Sequence, residues 1–132
     1  MTHTASLRWG RIIGGGLLGE LLLVLMVIPL YAAASSDTVI TWAAVLGSFV
    51  MFVPVGWWLT RTLPRRILHG ALMGAAAAVI YMLVGLASQL FVADAPAVPL
   101  IYYAAHVLKV AGGATGGWLA RRAPSSTAVR VS

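Results

Sequence analysis

Two charged residues lie deep inside long apolar stretches of the chain, Glu20 in the first stretch and Lys109 in the fourth. A charge at mid-membrane costs about 2.5–3.5 kcal/mol on insertion scales, which makes intramembrane ionisable residues functional candidates by default. A carboxylate and an ammonium group can neutralise each other, or they can bind a proton or a charged solute. Glu20 and Lys109 are therefore the first candidates for function.

Four apolar stretches contain or flank these charges, and the sequence predicts an all-α bundle of four transmembrane helices. We expect the helices at about 10–33, 38–60, 66–92 and 97–120, each near the ~20 apolar residues that cross ~30 Å of hydrocarbon. Of the 132 residues, 61% are hydrophobic and 9% are charged, whereas a soluble domain has ~25% charged residues. Residues 1–132 are expected to form one integral membrane domain in the lipid bilayer, ending in a flexible cytoplasmic tail at 123–132.

The arginines predict the orientation of the chain. They lie before the first stretch, between the second and third, and after the fourth. In the other two links the charged residues are Asp37 and Asp94. Because cytoplasmic segments are enriched in Lys and Arg, both termini are expected on the cytoplasmic side of an inner or plasma membrane. The net charge of +6 also suits nucleic acid, but the arginines lie at helix ends rather than along one face, so no nucleic-acid partner is expected.

The N-terminus has a second interpretation. Arg8 and Arg11, followed by an apolar run and the alanines 32–34, imitate a signal peptide with a small-residue cleavage site. Glu20 and the glycine-rich segment before it argue against cleavage, as does an internal repeat.

That repeat relates the two halves of the chain. Segments 11–19 and 66–74 match at five positions when they are offset by 55 residues. At an offset of 60, a second set of residues matches: Gly56, Trp58, Leu59 and Arg61 with Gly116, Trp118, Leu119 and Arg121. The sequence predicts a duplicated two-helix hairpin, with halves at about 10–62 and 65–122 related by an axis along the membrane normal. Chance similarity of apolar segments is the alternative.

Small residues predict where the helices touch, because lipid provides no hydrophobic drive for helix association and close backbone approach replaces it. The predicted packing glycines are Gly15, Gly16, Gly19, Gly70, Gly74, Gly112, Gly113 and Gly116. Tyr102 and His106 share a helical face with Lys109. We expect the first and fourth helices to pack antiparallel, with Gly16 opposite Gly113. The same packing places Glu20 opposite Lys109, in an intramembrane polar cluster with His106 and Tyr102.

No catalytic residue, metal site or cofactor is predicted. The chain has no cysteine and lacks the G-x-S-x-G, H-E-x-x-H and phosphate-loop motifs. His69 and His106 are expected at different depths, so they cannot share one metal ion. We expect His106 to be a hydrogen-bonded member of the Lys109 cluster and His69 to be an interfacial polar residue. The protein is therefore expected to be non-enzymatic.

Two functions stay open from the residues alone. The first is an accessory, assembly or small structural subunit with an unknown membrane protein partner, in which Glu20 and Lys109 fix helix register. The second is a small homodimeric transporter that uses Glu20 as a proton- or solute-coupled carboxylate.

The segment Gly15–Glu20, with its GG-x-L-x-E pattern, is similar to the first helix of small multidrug resistance exporters. The resemblance covers about ten of the 132 residues. It implies that Glu20 would bind a proton and a cationic substrate alternately in a dimer. The chain departs from that family where Ala75–Ala78 replace the aromatic motif of its third helix, and Lys109 would oppose a bound cation.

Overall fold

A computed structural model of the chain describes residues 6–33, 35–94 and 98–122. In these ranges the protein is all-α without strands, and its helices are α1 (Trp9–Ala32), α2 (Asp37–Thr60), α3 (Arg66–Phe91) and α4 (Ile101–Arg122). The predicted ends of the first three helices agree with these bounds to within one residue. The predicted tail at 123–132 lies outside the described residues.

The fourth helix begins later than expected. Its predicted start at residue 97 lies outside the described residues, and the helix itself starts at Ile101. Pro99 precedes it and has no N–H to contribute to a helix interior. The Pro99 carbonyl instead accepts a hydrogen bond from the Tyr102 N–H at 3.0 Å and so opens the first turn.

Three helices, α1, α2 and α3, are long and apolar enough to cross a membrane. The 22-residue α4 is less apolar because it includes His106, Lys109 and four glycines. Lys109 and those glycines are buried inside the bundle, whereas the large exposed side chains are mostly aliphatic or aromatic. An apolar exterior, with a charged side chain such as that of Lys109 turned inward, is the arrangement that a lipid environment favours.

The helices are arranged so that α2 and α3 separate α1 from α4. Both α1 and α4 pack against α2 and α3, and no Cα of α1 lies within 8 Å of a Cα of α4. The predicted packing of the first helix on the fourth is therefore wrong. Gly16 lies against Met73 and Ala77 of α3, where an added Cβ would be 3.1 Å from the Met73 carbonyl oxygen. Glycine spacing marks a face that permits close approach, but it does not select the neighbour.

The glycines of α4 divide between its two neighbours. Gly113 approaches Gly70 of α3 so closely that a Cβ on either residue would collide with the carbonyl oxygen of the other. Gly74 of α3 lies in the same way against the Lys109 carbonyl. On a neighbouring face two glycines lie against backbone carbonyls of α2, Gly112 against Phe49 and Gly116 against Val53. Backbone therefore meets backbone on two faces of α4.

The contacts of α1 are looser. A Cβ added at Gly15 would meet the Met73 and Leu59 side chains, and one added at Gly19 would meet the Phe52 ring at 2.5 Å. Phe52 and Met73 belong to the buried core of the bundle. Gly15 and Gly19 thus meet side chains, and Gly16 is the glycine of α1 that meets backbone.

Arginine side chains bind the C-terminal ends of two helices. They lie at the end of the bundle where α1 and α3 start and α2 and α4 finish, which we call the arginine-rich end. Arg11 donates hydrogen bonds to Thr62 Oγ1 at 2.7 Å and to the Leu59 carbonyl at 3.4 Å, whereas Arg66 donates to the Ala120 carbonyl. The last carbonyls of a helix lack partners within the helix, and cations near them are favourable. Each arginine therefore ties the start of one helix to the end of the next.

Candidate functional site

The candidate site centres on an ion pair between α1 and α4. Lys109 Nζ donates a hydrogen bond to Glu20 Oε1. The Lys109 side chain is 2% exposed and that of Glu20 is 18% exposed, so the ion pair is largely buried inside the bundle. Because no Cα of α1 lies within 8 Å of a Cα of α4, the long aliphatic stem of Lys109 spans the gap between the two helices.

Tyr81 of α3 lies beside the ammonium group. Lys109 Nζ is 4.9 Å from the centre of the Tyr81 ring, within the range of a cation–π interaction. The ring centres of Tyr102 and His106 lie 6.4 and 5.0 Å from that of Tyr81. The structure thus brings Glu20, Lys109, Tyr102 and His106 together around a residue that the sequence did not single out.

A signal for Tyr81 was present in the sequence. Gly74, Ala77, Ala78 and Tyr81 follow the i, i+3, i+4, i+7 spacing of one helical face. The first three are buried, and this small-residue face packs against the rest of the bundle. The next residue of the stripe therefore points towards the interior as well.

His106 enters the cluster through ring contacts. Its ring lies against those of Tyr81 and Tyr103, at 5.0 and 6.3 Å between centres. Its buried Nδ1 has no hydrogen-bond partner among the residues that the structure describes. Among the described residues, His106 therefore does not make the expected hydrogen bond to the Lys109 cluster at Nδ1. It packs against the two aromatic rings instead.

His69 is buried near the arginine-rich end of the bundle, at the start of α3. It is 1% exposed, its Nδ1 lies 3.2 Å from the Arg65 carbonyl, and its Nε2 accepts a hydrogen bond from the Arg8 N–H at 3.4 Å. A neutral ring that donates at Nδ1 satisfies both contacts. His69 therefore joins the segment before α1 to the first turn of α3, away from the ion pair.

A cavity of about 250 Å³ opens beside the ion pair, in the half of the bundle away from the arginine-rich end. All four helices line it, and its polar side chains include Glu20, Tyr31, Ser48, Tyr81, Tyr102 and Lys109. Leucine, isoleucine, valine and alanine supply most of the remaining wall. Chemically, it is an apolar chamber with one neutralised pair of charges and a few phenol groups.

A second cavity, of about 440 Å³, lies between α3 and α4. Tyr81 and His106 line both cavities. Nothing in the described ranges brings three His, Cys, Asp or Glu residues close enough to hold a metal ion.

Comparison of the chain with models of known protein families, with curated proteins and with solved structures found no match.

Proposed function

We propose that the protein is an integral membrane protein in which all four helices cross the bilayer and both termini are cytoplasmic. The length and composition of α1, α2 and α3 support this, and so does the burial of the polar residues of α4 inside the bundle. The arginine-rich end then faces the cytoplasm, in accord with the positive-inside rule.

Repeated contacts favour an origin as a duplicated hairpin. Arg11 and Arg66, which match at an offset of 55, each reach the end of the following helix. In addition, Gly56 lies against the Gly113 carbonyl, and Gly116 lies against the Val53 carbonyl. At an offset of 60, Gly56 corresponds to Gly116 and Val53 corresponds to Gly113, so the two contacts are equivalent. Paired contacts of this kind are expected when two halves are related by a pseudo-twofold axis.

The function that the geometry supports best is a non-enzymatic accessory or assembly subunit. A single observation carries this proposal: the Glu20–Lys109 pair joins two helices that make no backbone approach of their own. Because α1 rests mainly on side chains, the pair sets its rotation and position on the bundle. Buried ion pairs are best attested as devices that fix register and partner choice. The partner would be another membrane protein or a second copy of the chain.

Purification in mild detergent, followed by mass spectrometry of co-purifying proteins, tests this proposal. We expect a fixed partner, or a defined oligomer, that is lost when Glu20→Ala releases α1. Gly14→Ala provides the matched control, because a Cβ at Gly14 would meet nothing within 4 Å. The subunit role would be contradicted if the protein purifies as a monomer without a partner and if Glu20→Ala leaves the growth of the cells that express it unchanged.

The cavity beside Glu20 favours a second function, a small homodimeric transporter. A solute in this cavity would lie next to the carboxylate, but Lys109 already holds that group. Transport would therefore require Glu20 protonation or displacement of the Lys109 ammonium. Liposomes containing the protein should then show a pH-dependent solute or proton flux that Glu20→Gln abolishes. Equal flux through wild-type and Glu20→Gln protein would exclude Glu20 coupling.

A further inference from the structure

A groove of about 750 Å³ lies at the arginine-rich end, apart from the ion pair. The link between α2 and α3, the start of α3 and the last turn of α4 form its walls. Its cationic lining residues are Arg65, Arg66 and Arg121, and its apolar ones include Leu63, Ile67, Leu68 and Ala71. The volume is typical of small-molecule sites.

Two of the three cationic groups in the groove are uncommitted. Arg66 donates its hydrogen bonds to the Ala120 and Leu63 carbonyls. The side chains of Arg65 and Arg121 are exposed and have no hydrogen bond, ion pair or ring contact among the residues that the structure describes. The groove therefore offers two guanidinium groups to a ligand.

Three of the other arginines at this end are already engaged, whereas the exposed side chain of Arg8 has no such contact in the described ranges but does not line the groove. Arg11 contacts Thr62, whereas Arg61 and Arg122 lie over tryptophan rings, at 5.8 Å from Trp57 and 3.8 Å from Trp118. Arg65 and Arg121 therefore differ from these three arginines, because their guanidinium groups are available to a ligand in the groove.

The acidic side chains of the chain lie away from the groove. The three acidic residues are Glu20, which pairs with Lys109, and Asp37 and Asp94, which lie at the opposite end of the bundle. Guanidinium groups bind phosphate through two parallel hydrogen bonds, and they are weakly hydrated. A phosphate group is therefore the chemistry that fits Arg65 and Arg121.

The apolar part of the groove identifies the source of that phosphate. Leu68 and Ala71 follow Arg65 along α3 at intervals of three residues, on one side of the helix. Leu68 is 42% exposed. A free phosphate or a nucleotide would leave this wall unused, whereas a phospholipid places hydrocarbon directly beside its phosphate.

We propose that the groove is a binding site for an anionic phospholipid, with the phosphate held by Arg65 and Arg121 and an acyl chain along Leu68 and Ala71. Basic sites of this kind at the cytoplasmic side of membrane helices bind anionic headgroups. The assignment to the cytoplasmic leaflet rests on the proposed orientation, but the binding chemistry does not.

Native mass spectrometry of the delipidated full chain in detergent tests the site, with phosphatidylglycerol and phosphatidylcholine of identical acyl chains as probes. Phosphatidylglycerol should bind more tightly, by on the order of tenfold. The Arg65→Gln/Arg121→Gln variant should reduce this preference to near unity. The control Arg8→Gln/Arg61→Gln removes the same charge from outside the groove and should leave the preference unchanged. An equal loss in both double variants would show general electrostatics and overturn the proposal.

A second variant keeps the charges and fills the groove. Ala71→Phe should weaken phosphatidylglycerol binding while Arg65 and Arg121 remain. Unchanged binding in this variant, or full competition by soluble glycerol phosphate, would show a phosphate site without a lipid chain and would reject the lipid. Because the measurement is made in detergent, a reversed topology would leave the binding intact and alter only the leaflet.

Discussion

Lys109 and Glu20 form an ion pair across the bundle, from α4 to α1, although no Cα atoms of these helices lie within 8 Å of each other. The connection is made entirely by side chains. The glycine contacts of α4 bring it against the backbones of α2 and α3, whereas α1 rests mainly on Phe52 and other side chains. The less tightly packed helix is thus the one that the ion pair holds.

Removal of one charge should therefore destabilise the fold more than removal of both. Glu20→Ala and Lys109→Phe each leave the partner charge buried and unpaired, and each should lower the free energy of unfolding by about 3 kcal/mol. The double variant Glu20→Ala/Lys109→Phe, which copies the repeat-related residues Ala75 and Phe49, should recover much of this loss. Reversible unfolding in mixed micelles measures all four proteins and completes a double-mutant cycle.

The cycle also separates the two proposed functions. If the pair is structural, the double variant should keep its partner or oligomeric state as well as its stability. In a transporter, the same variant would fold but lose its solute response, because a methyl group cannot carry a proton. Additive effects of the two single substitutions would show that the charges act independently, against both interpretations.

The contact between Gly70 and Gly113 gives a prediction for α4. A methyl group at position 113 would collide with the Gly70 carbonyl oxygen, which is backbone and cannot rotate away. We expect Gly113→Ala to cost about 1–3 kcal/mol, as overpacked sites do. Gly14→Ala is the control, since a Cβ there meets open space and alanine is the better helix former. Equal unfolding free energies for the two variants would refute close α3–α4 packing.

Hydrophobicity was sufficient to predict the helices, but not their arrangement. The first three helices are within one residue of their predicted bounds, because arginines and short polar links interrupt the apolar runs. The contact partner of Gly16 was missed, since a helical face can be read from one segment whereas its neighbour depends on all four. The Glu20–Lys109 contact was anticipated because an unpaired charge in lipid is so costly that it restricts the alternatives. Tyr81 was overlooked because an isolated tyrosine carries no comparable penalty.

Arg11 should stabilise the fold more than its neighbour Arg8. Its guanidinium group donates to Thr62 and to the Leu59 carbonyl near the end of α2, whereas the Arg8 side chain has no contact of this kind in the described part of the chain. Arg11→Met should cost about 0.5–1 kcal/mol, in line with cations at helix C-termini. Arg8→Met removes the same charge and should be nearly neutral. Equal losses of unfolding free energy in the two variants would mean that the change in net charge is the cause, rather than the loss of the hydrogen bonds from Arg11 to the end of α2.

The orientation of the chain is open to a direct test with reporter fusions. Fusions after Arg66 and after Ser132 should report the cytoplasm, and fusions near Asp37 and Asp94 should report the opposite side. The physical reason is the difference between the two ends of the bundle, one with seven arginines in the described ranges and the other with two aspartates. A cytoplasmic signal near Asp94 would mean that α3 and α4 do not cross as a hairpin. Glu20 and Lys109 could then not meet at mid-membrane, and the ion pair would need a different explanation.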